Sequence, residues 1–228
     1  EALLYKVSGN GLEQPSYVFG TIHLMCEEDF ELQSSVKGVF DKVDQFVLEL
    51  DMDDPTMMMK MQQNMMMKEG VIINDLVNEE EYDLLNNYVQ ENVKVPLGMV
   101  KTVKPFVLTS MVYPSLLGCP IKSYEMTLVE NAKASEKEVL GLETVEFQLG
   151  IFDNLPYEEQ ANMLVEMVES LSEAKSEFAK LVETYKKGDP DALLEIMGDS
   201  SFEMSPEMME MLIDERNKFS PETGNNAT

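Results

Sequence analysis

The sequence predicts an α/β fold: a mixed β-sheet opened by an N-terminal hairpin, covered by helices, with a helix-rich C-terminal half. Three observations carry this reading. Apolar, β-branched and aromatic runs over residues 3–8 and 16–22 are separated by Gly9-Asn10-Gly11 and Pro15, which is hairpin punctuation. Buried-strand patterns over 45–50 and 138–142 alternate with stretches of helical spacing, as in β–α–β units of a parallel sheet. From Pro156 onward apolar residues recur at intervals of three and four, the spacing of amphipathic helices. A chain of 228 residues can bury a sizeable core. A single domain over 1–219 is expected, followed by a polar, Gly/Asn-containing tail over 220–228 that reads as disordered.

In chain order, Tyr17, Val18, Phe19 and Ile22 suit a strand buried on both sides, and Gly20 permits close approach of backbone or ligand. The run delivers His23, the only histidine, to a strand's carboxyl end. There α/β sheets place their sites, and a neutral imidazole binds metal or moves a proton. The simpler reading of one histidine at a strand end is a hydrogen-bonded structural residue. Leu32, Val36, Val39 and Phe40 then follow at helical spacing. Phe46 to Leu50 is a second buried strand, carrying Glu49 within it and Asp51 just beyond, on the side of His23 if the two strands are parallel neighbours.

Asp53-Asp54-Pro55 starts a helix that bears Met57, Met58, Met59 and Met61, with Met65 to Met67 beyond. Thioethers suit cuprous copper, but the cluster lacks an ordered ligand spacing, so adaptable core filler or apolar surface is the stronger reading. Asn78 caps a helix through Tyr82, Leu85 and Val89, and Val103 to Val112 forms a buried helix entered through Lys104-Pro105-Phe106. Lys122-Ser123-Tyr124-Glu125 ends a short strand, a helix covers Leu128 to Ala134, and a further strand ends at Glu143. This reads as β–α–β with a carboxylate at each strand end. Taken singly, Glu125 is most simply a helix N-cap partner and Glu143 a salt-bridge residue.

Pro156 to Tyr185 reads as one long amphipathic helix ended by Lys186-Lys187-Gly188. Asp189-Pro190-Asp191 starts a short helix to about Met197, and Ser205-Pro206-Glu207 starts a last one carrying Arg216, the only arginine. A lone guanidinium serves either as a bidentate carboxylate clamp or as a charge at a helix C-terminus.

Seventeen basic against forty-three acidic side chains give a net charge of −26. That balance repels phosphate backbones and anionic membranes, so nucleic acid is not an expected partner, and a solvated acidic surface explains most of it. No stretch is long enough for a transmembrane helix. The run from Glu1 straight into a strand, with no basic-then-apolar leader, reads as a mature or trimmed chain. Cys26 and Cys119 either form a bridge, if parallel strands bring them to one sheet end, or remain separate thiols or soft ligands.

Several stretches together carry a family resemblance. Leu3 to Gly9 followed by Ser16 to His23, with Gly20-Thr21-Ile22-His23 as a G-x-x-H motif, resembles the opening of TraB/GumN proteins. These include GumN-like and pheromone-shutdown proteins and the TIKI proteases. The resemblance continues through Phe46 to Asp51, Lys104-Pro105-Phe106, Ser123-Tyr124-Glu125, Gly141-Leu142-Glu143-Thr144 with Gln148, and Glu215-Arg216-Asn217.

It implies a TIKI/EreA/ChaN-like fold and a metal-dependent peptidase or hydrolase acting on peptide or protein substrates with a divalent ion, Mn, Co or Zn. The family centre has two G-x-x-H histidines and an acidic residue. Here only His23 and Glu49 carry over as metal ligands, with Glu125, Glu143 and Arg216 as neighbouring catalytic candidates. This chain has no second histidine. Either it stops before a final β–α unit, or its site works differently or not at all. One imidazole with carboxylates implies weak metal affinity shifted toward oxygen-preferring ions such as manganese.

The expectation is that His23 sits within one shell of Glu49 or Glu143 in a shared cleft, and that this chain alone turns over peptides slowly or not at all. The alternative is a non-catalytic protein that binds or sequesters peptides on the same fold. The family's usual exported location favours the Cys26–Cys119 bridge. Closing so long a loop stabilises by about 4–5 kcal/mol in the chain-entropy model.

Overall fold

The computed structural model describes residues 3–199 together with Glu210 and Arg216. Its strands are β1 (Leu4–Val7), β2 (Ser16–Phe19), β3 (Leu24–Cys26), β4 (Gln45–Leu50), β5 (Ile121–Ser123) and β6 (Glu138–Glu143). Its helices are α1 (Ser34–Phe40), α2 (Met57–Asn64), α3 (Glu79–Asn92), α4 (Pro105–Leu117), α5 (Tyr124–Ala134), α6 (Val145–Ile151), α7 (Tyr157–Glu169), α8 (Leu171–Lys187) and α9 (Pro190–Asp199). The α/β class and the helix-rich C-terminal half are as predicted. The chain divides into two compact units. One comprises Glu1–Asp53, Cys119–Gly141 and Ser176–Glu203, and the other Asp54–Gly118, Leu142–Lys175 and Met204–Thr228.

The first unit begins as the expected hairpin. Gly9, Asn10 and Gly11 all take positive φ, at 95°, 48° and 88°, which two glycines and an asparagine tolerate better than other residues. β1 and β2 then pair antiparallel from Leu4 opposite Phe19 to Val7 opposite Ser16. Downstream, β3 and β5 pair antiparallel over three residues, Leu24 opposite Ser123 and Cys26 opposite Ile121. A disulfide between Cys26 and Cys119, with Cα atoms 5.6 Å apart, closes the end of that ladder. β4 and β6 form the third pair. Phe46, Leu48 and Val139 from this pair pack with Leu128, Val129 and Ala132 of α5.

These ladders correct the expectation of one sheet of at least four strands. Segments 45–50 and 138–142 are neighbours as predicted, but 16–22 is not beside them, and the strands form three separate two-stranded ladders. β2 ends at Phe19; the Gly20 N–H still donates to the Leu3 carbonyl in register with the ladder, while the Gly20 carbonyl accepts the Tyr185 hydroxyl. His23 therefore stands just before β3 and not at the carboxyl end of a parallel strand. β5 and β6 likewise belong to different ladders, so β5–α5–β6 is not a unit of one parallel sheet. The cysteines meet through antiparallel pairing, not through parallel strands sharing an end.

The second unit is helical. Ile73, Leu85, Val89, Leu97, Leu108, Val112 and Leu164 are at most 1% exposed and form one core with their neighbours. The Asn78 cap is realised as a capping box, with the Glu81 N–H on Asn78 Oδ1 and the Asn78 N–H on Glu81 Oε2. Such a cap contributes about 1 kcal/mol. The helix expected from Asp53-Asp54-Pro55 starts at Met57, where Asp54 Oδ1 accepts the Thr56 N–H. No residue of α2 is buried and Met58 and Met59 are exposed apolar surface, whereas Met67 is buried and Met65 packs against the helical core, so the methionines serve both of the expected roles.

The single long helix expected from Pro156 is two helices. Ser170, at φ −100° and ψ 29°, leaves helical geometry between α7 and α8. The apolar periodicity runs through the break because the stripe serves more than one core: Ala174 packs in the second unit's core, whereas Phe178 and Val182 are buried in the part of α8 that belongs to the first unit. The predicted helix from Ser205 and the tail over 220–228 lie outside the described residues, apart from helical Arg216.

Candidate functional site

The β3–β5 ladder assembles the site of the first unit. Pairing Leu24 with Ser123 brings the residue before β3, His23, alongside the residues that open α5. Ser123 is the N-cap of α5, its Oγ accepting the Met126 N–H. The same hydroxyl donates to Glu125 Oε2 at 2.8 Å. Glu125 lies in the first turn of α5, where the helix dipole favours a negative charge. Its Oε1 accepts the Thr21 hydroxyl at 2.9 Å and lies 3.1 Å from His23 Nδ1. The partner that the structure gives to His23 is therefore Glu125, a neighbour in the sequence reading but not the carboxylate expected to meet it.

Solvent meets the two partners differently, since the His23 side chain is 73% exposed and that of Glu125 is 16% exposed. Burial pushes the Glu125 carboxyl upward, but hydrogen bonds from His23, its own backbone N–H and Ser123, with the His23 charge, outweigh it and hold the group below the usual carboxylate range. Glu125 is thus ionised at neutral pH and can only accept. His23 Nδ1 must then carry the shared proton.

Behind the pair, Tyr185 of α8 reaches Gly20, the first residue of the G-x-x-H motif, with its hydroxyl 3.0 Å from the Gly20 carbonyl. Burial, then the neighbouring Tyr124 and the charge of Glu125, push the Tyr185 phenol far up. Its hydroxyl stays protonated and donates. Gly20 itself has no positive φ. A Cβ there would meet Leu3 Cβ at 3.2 Å and Leu3 Cδ1 at 3.4 Å, so any side chain at the motif's glycine would press on the residue before β1.

The second unit holds a different carboxylate cluster. Glu143 ends β6, and its side chain is 7% exposed. Arg216 grips it with two bonds, Nε to Oε1 at 3.0 Å and Nη2 to Oε2 at 2.9 Å, and Gln148 donates to Oε2 at 2.7 Å. The lone arginine is the bidentate clamp weighed from the sequence. Glu49 is an exposed residue of β4. Lys104, 3% exposed, pairs with Asp153, which also accepts from Lys68 at 3.1 Å. Burial raises the Asp153 carboxyl, but the two lysines hold it below its usual range.

Sequence reasoning missed Thr21, Ser123 and Tyr185. Thr21 lies inside the motif and Ser123 directly precedes a helix, so both had local signals. Tyr185 had none, because only the fold brings residues 165 positions apart together.

The profile of the TraB/PrgY/gumN family matches residues 3–220, and the chain belongs to this family. No curated protein and no solved structure gave a significant match. The family resemblance implies a divalent metal, and the donors can be tested for it. Among the described residues no group of three or more histidine, cysteine, aspartate or glutamate side chains is placed to hold an ion. His23 and Glu125 supply two donors, fewer than the three protein ligands of catalytic zinc sites. The described residues do not fit a complete metal site.

Proposed function

We propose that the chain is a peptide- or protein-acting hydrolase of the TraB/PrgY/gumN family whose working group is the His23–Glu125 pair. The observation that carries this reading is a half-buried, ionised carboxylate set against the solvent-exposed imidazole of the family motif. Glu125 fixes the tautomer. His23 Nε2 then takes the proton from a water as that water attacks a peptide carbonyl carbon, and the imidazolium gains charge stabilisation from Glu125. When the C–N bond breaks, the same proton passes to the leaving amine, so protons balance over one turnover. General acid–base transfer of this kind contributes about 10²–10⁴-fold. Thr21 and Ser123 are positioning residues, holding the carboxylate that orients the ring. Mn, Co or Zn, with His23 and Glu49 as ligands, remains an expectation of the resemblance, and no step is routed through an ion.

A second reading is favoured by the lack of a three-donor cluster among the described residues and by the single histidine. On it, the chain binds or sequesters peptides without turnover. Mass-spectrometric cleavage of an unbiased peptide mixture separates the two, using the wild type, His23→Gln and Glu125→Gln, each with and without added Mn²⁺, Co²⁺ or Zn²⁺. The hydrolase reading expects slow cleavage that falls at least about 100-fold in both variants. Cleavage that survives His23→Gln places the chemistry elsewhere. Peptide binding that depends on His23 with no cleavage under any condition establishes the binding reading.

A further inference from the structure

Beside the His23–Glu125 pair, within the same unit, lies a cavity of about 150 Å³. Its walls include Phe19, Tyr124 and Tyr185, and its polar rim includes Asp29, Glu31 and Lys186. The walls are direct chain neighbours of the working residues. Phe19 precedes Gly20 of the motif, Tyr124 precedes Glu125, and Tyr185 is bonded to the Gly20 carbonyl. The cavity is therefore lined by residues adjoining the motif's glycine and Glu125.

Size restricts the occupant to one small group. An engineered apolar cavity of about 150 Å³ holds a single benzene, whereas whole-ligand pockets run from about 300 Å³ upward. Polarity restricts it further. The Tyr124 hydroxyl donates to the Glu31 carbonyl at 3.2 Å and the Tyr185 hydroxyl to the Gly20 carbonyl, so both phenol protons are engaged within the protein and neither is offered to a ligand. The one cation on the rim, Lys186, is held by Asp29 at 2.7 Å and Glu183 at 3.1 Å. What the cavity offers is aromatic faces and the Glu31 carboxylate. The aromatic cluster already attracts a cation on another side: Lys122 Nζ lies 5.0 Å from the Phe30 ring centroid, and Phe30 packs on Tyr124 at 4.5 Å. Aromatic faces with acceptors and a net negative rim recognise a donor-rich cation.

We propose that this cavity is a recognition subsite for an alkylammonium group, supplied either by a lysine side chain or by the free N-terminus of the peptide substrate. The assignment to a peptide rests on the function proposed above; the assignment to an alkylammonium rests on the cavity alone. The net charge of −26 adds attraction for basic peptides at a distance.

Backbone-amide NMR titration of the intact chain with n-butylammonium, n-butanol and n-butyrate tests the subsite. Saturable shifts at Phe19, Glu31, Tyr124 and Tyr185 with n-butylammonium are expected, with n-butanol at least about tenfold weaker and n-butyrate without effect. Glu31→Gln keeps the backbone carbonyl that Tyr124 uses and should weaken n-butylammonium about tenfold, whereas His23→Gln should leave it unchanged. Equal binding of n-butanol, tighter binding of n-butyrate, or the absence of saturable shifts in the folded chain overturns the subsite. Two further ligands distinguish the sources. Binding of Nα-acetyl-lysine methylamide assigns a side chain, and binding of norleucine methylamide with its free amine assigns the N-terminus. If n-butylammonium binds but no variant affects peptide cleavage, the subsite stands and the hydrolase reading fails. If cleavage depends on His23 but shows no preference for either ammonium, the reverse holds.

Discussion

Glu125 and Glu143 occupy similar places along the chain, each at the junction of a strand and a helix and each beside a hydroxyl N-cap, Ser123 and Thr144. Their partners make them chemically opposite. Glu143 is held by a guanidinium that never releases its proton in the physiological range, so the cluster is a fixed clamp. Glu125 is held by two hydroxyls and an imidazole, and an imidazole changes protonation state near neutrality. The carboxylate is the same, but only one of the two clusters can move a proton. The supporting structure differs in the same sense. Glu143 belongs to a unit with a continuous helical core, whereas Glu125 is aimed by a ladder of three residue pairs closed by a disulfide.

The largest effect that would sharpen this contrast comes from the disulfide. Replacing Cys26 and Cys119 by serine should cost the first unit about 4–5 kcal/mol in the chain-entropy model, given a sequence separation of 93. Hydrogen exchange followed residue by residue checks it: protection over β3, β5 and α5 should fall while that of Leu85, Val112 and Leu164 persists. A uniform loss would erase the distinction between the units. In the other direction, Leu164→Ala, at a fully buried site, should cost about 3 kcal/mol and act first on the helical unit.

Arg216→Ala comes next. It leaves a carboxylate that is 7% exposed without its guanidinium, at a cost of about 2–3 kcal/mol by chemical denaturation. Arg216→Lys should recover only part of this, because an ammonium cannot make the paired bonds. Full recovery by lysine would mean that the clamp is only a charge.

Glu125→Gln has a smaller effect with a pH signature. The folded-state pKa of Glu125 is lowered from 4.5, so the unfolded chain binds its proton first as pH falls. Its contribution is fully present above 4.5, and is lost as pH drops through the lower folded value. We expect about 1 kcal/mol, discounted for partial exposure, visible as a flatter acid limb in unfolding midpoints of the variant. A limb unchanged by the substitution would show that Glu125 is not ionised by its neighbours. The smallest stability effect is that of His23→Gln, within about 0.5 kcal/mol for a side chain 73% exposed. Its loss of turnover, by contrast, should be the greatest of any single change.

Local signals in the sequence were sufficient for much of this. The Gly9-Asn10-Gly11 turn, the Asn78 cap and the buried helix after Lys104 depend on residues whose chemistry acts over a few positions, whereas Arg216 left a clamp and a helix-end charge equally open until the structure chose the clamp. The pairing of strands did not follow, because His23 could be assigned a strand neighbour only by knowing where β2 ends. Just beyond that end the Gly20 carbonyl is bound by Tyr185, which lies 165 residues further along the chain. A parallel sheet was inferred from alternation alone, and alternation does not distinguish one sheet from several short ladders. The break at Ser170 was hidden for a related reason, since one apolar stripe serves more than one core without changing its period.

Gly20 shows how far such dependence reaches. Its Cα faces Leu3 at a separation a methyl group would crowd, its N–H is bound to the Leu3 carbonyl, and its carbonyl is bound to Tyr185. Positions 3 and 20 are therefore coupled in this chain: alanine at position 20 requires the residue at position 3 to shift or to lack its Cβ. In this chain, Gly20→Ala should displace the first strand, and Leu3→Gly in the same molecule, which removes the contacting Cβ as well as Cδ1, should restore it. The motif, written as four consecutive letters, would then be read more faithfully with a fifth letter seventeen residues upstream.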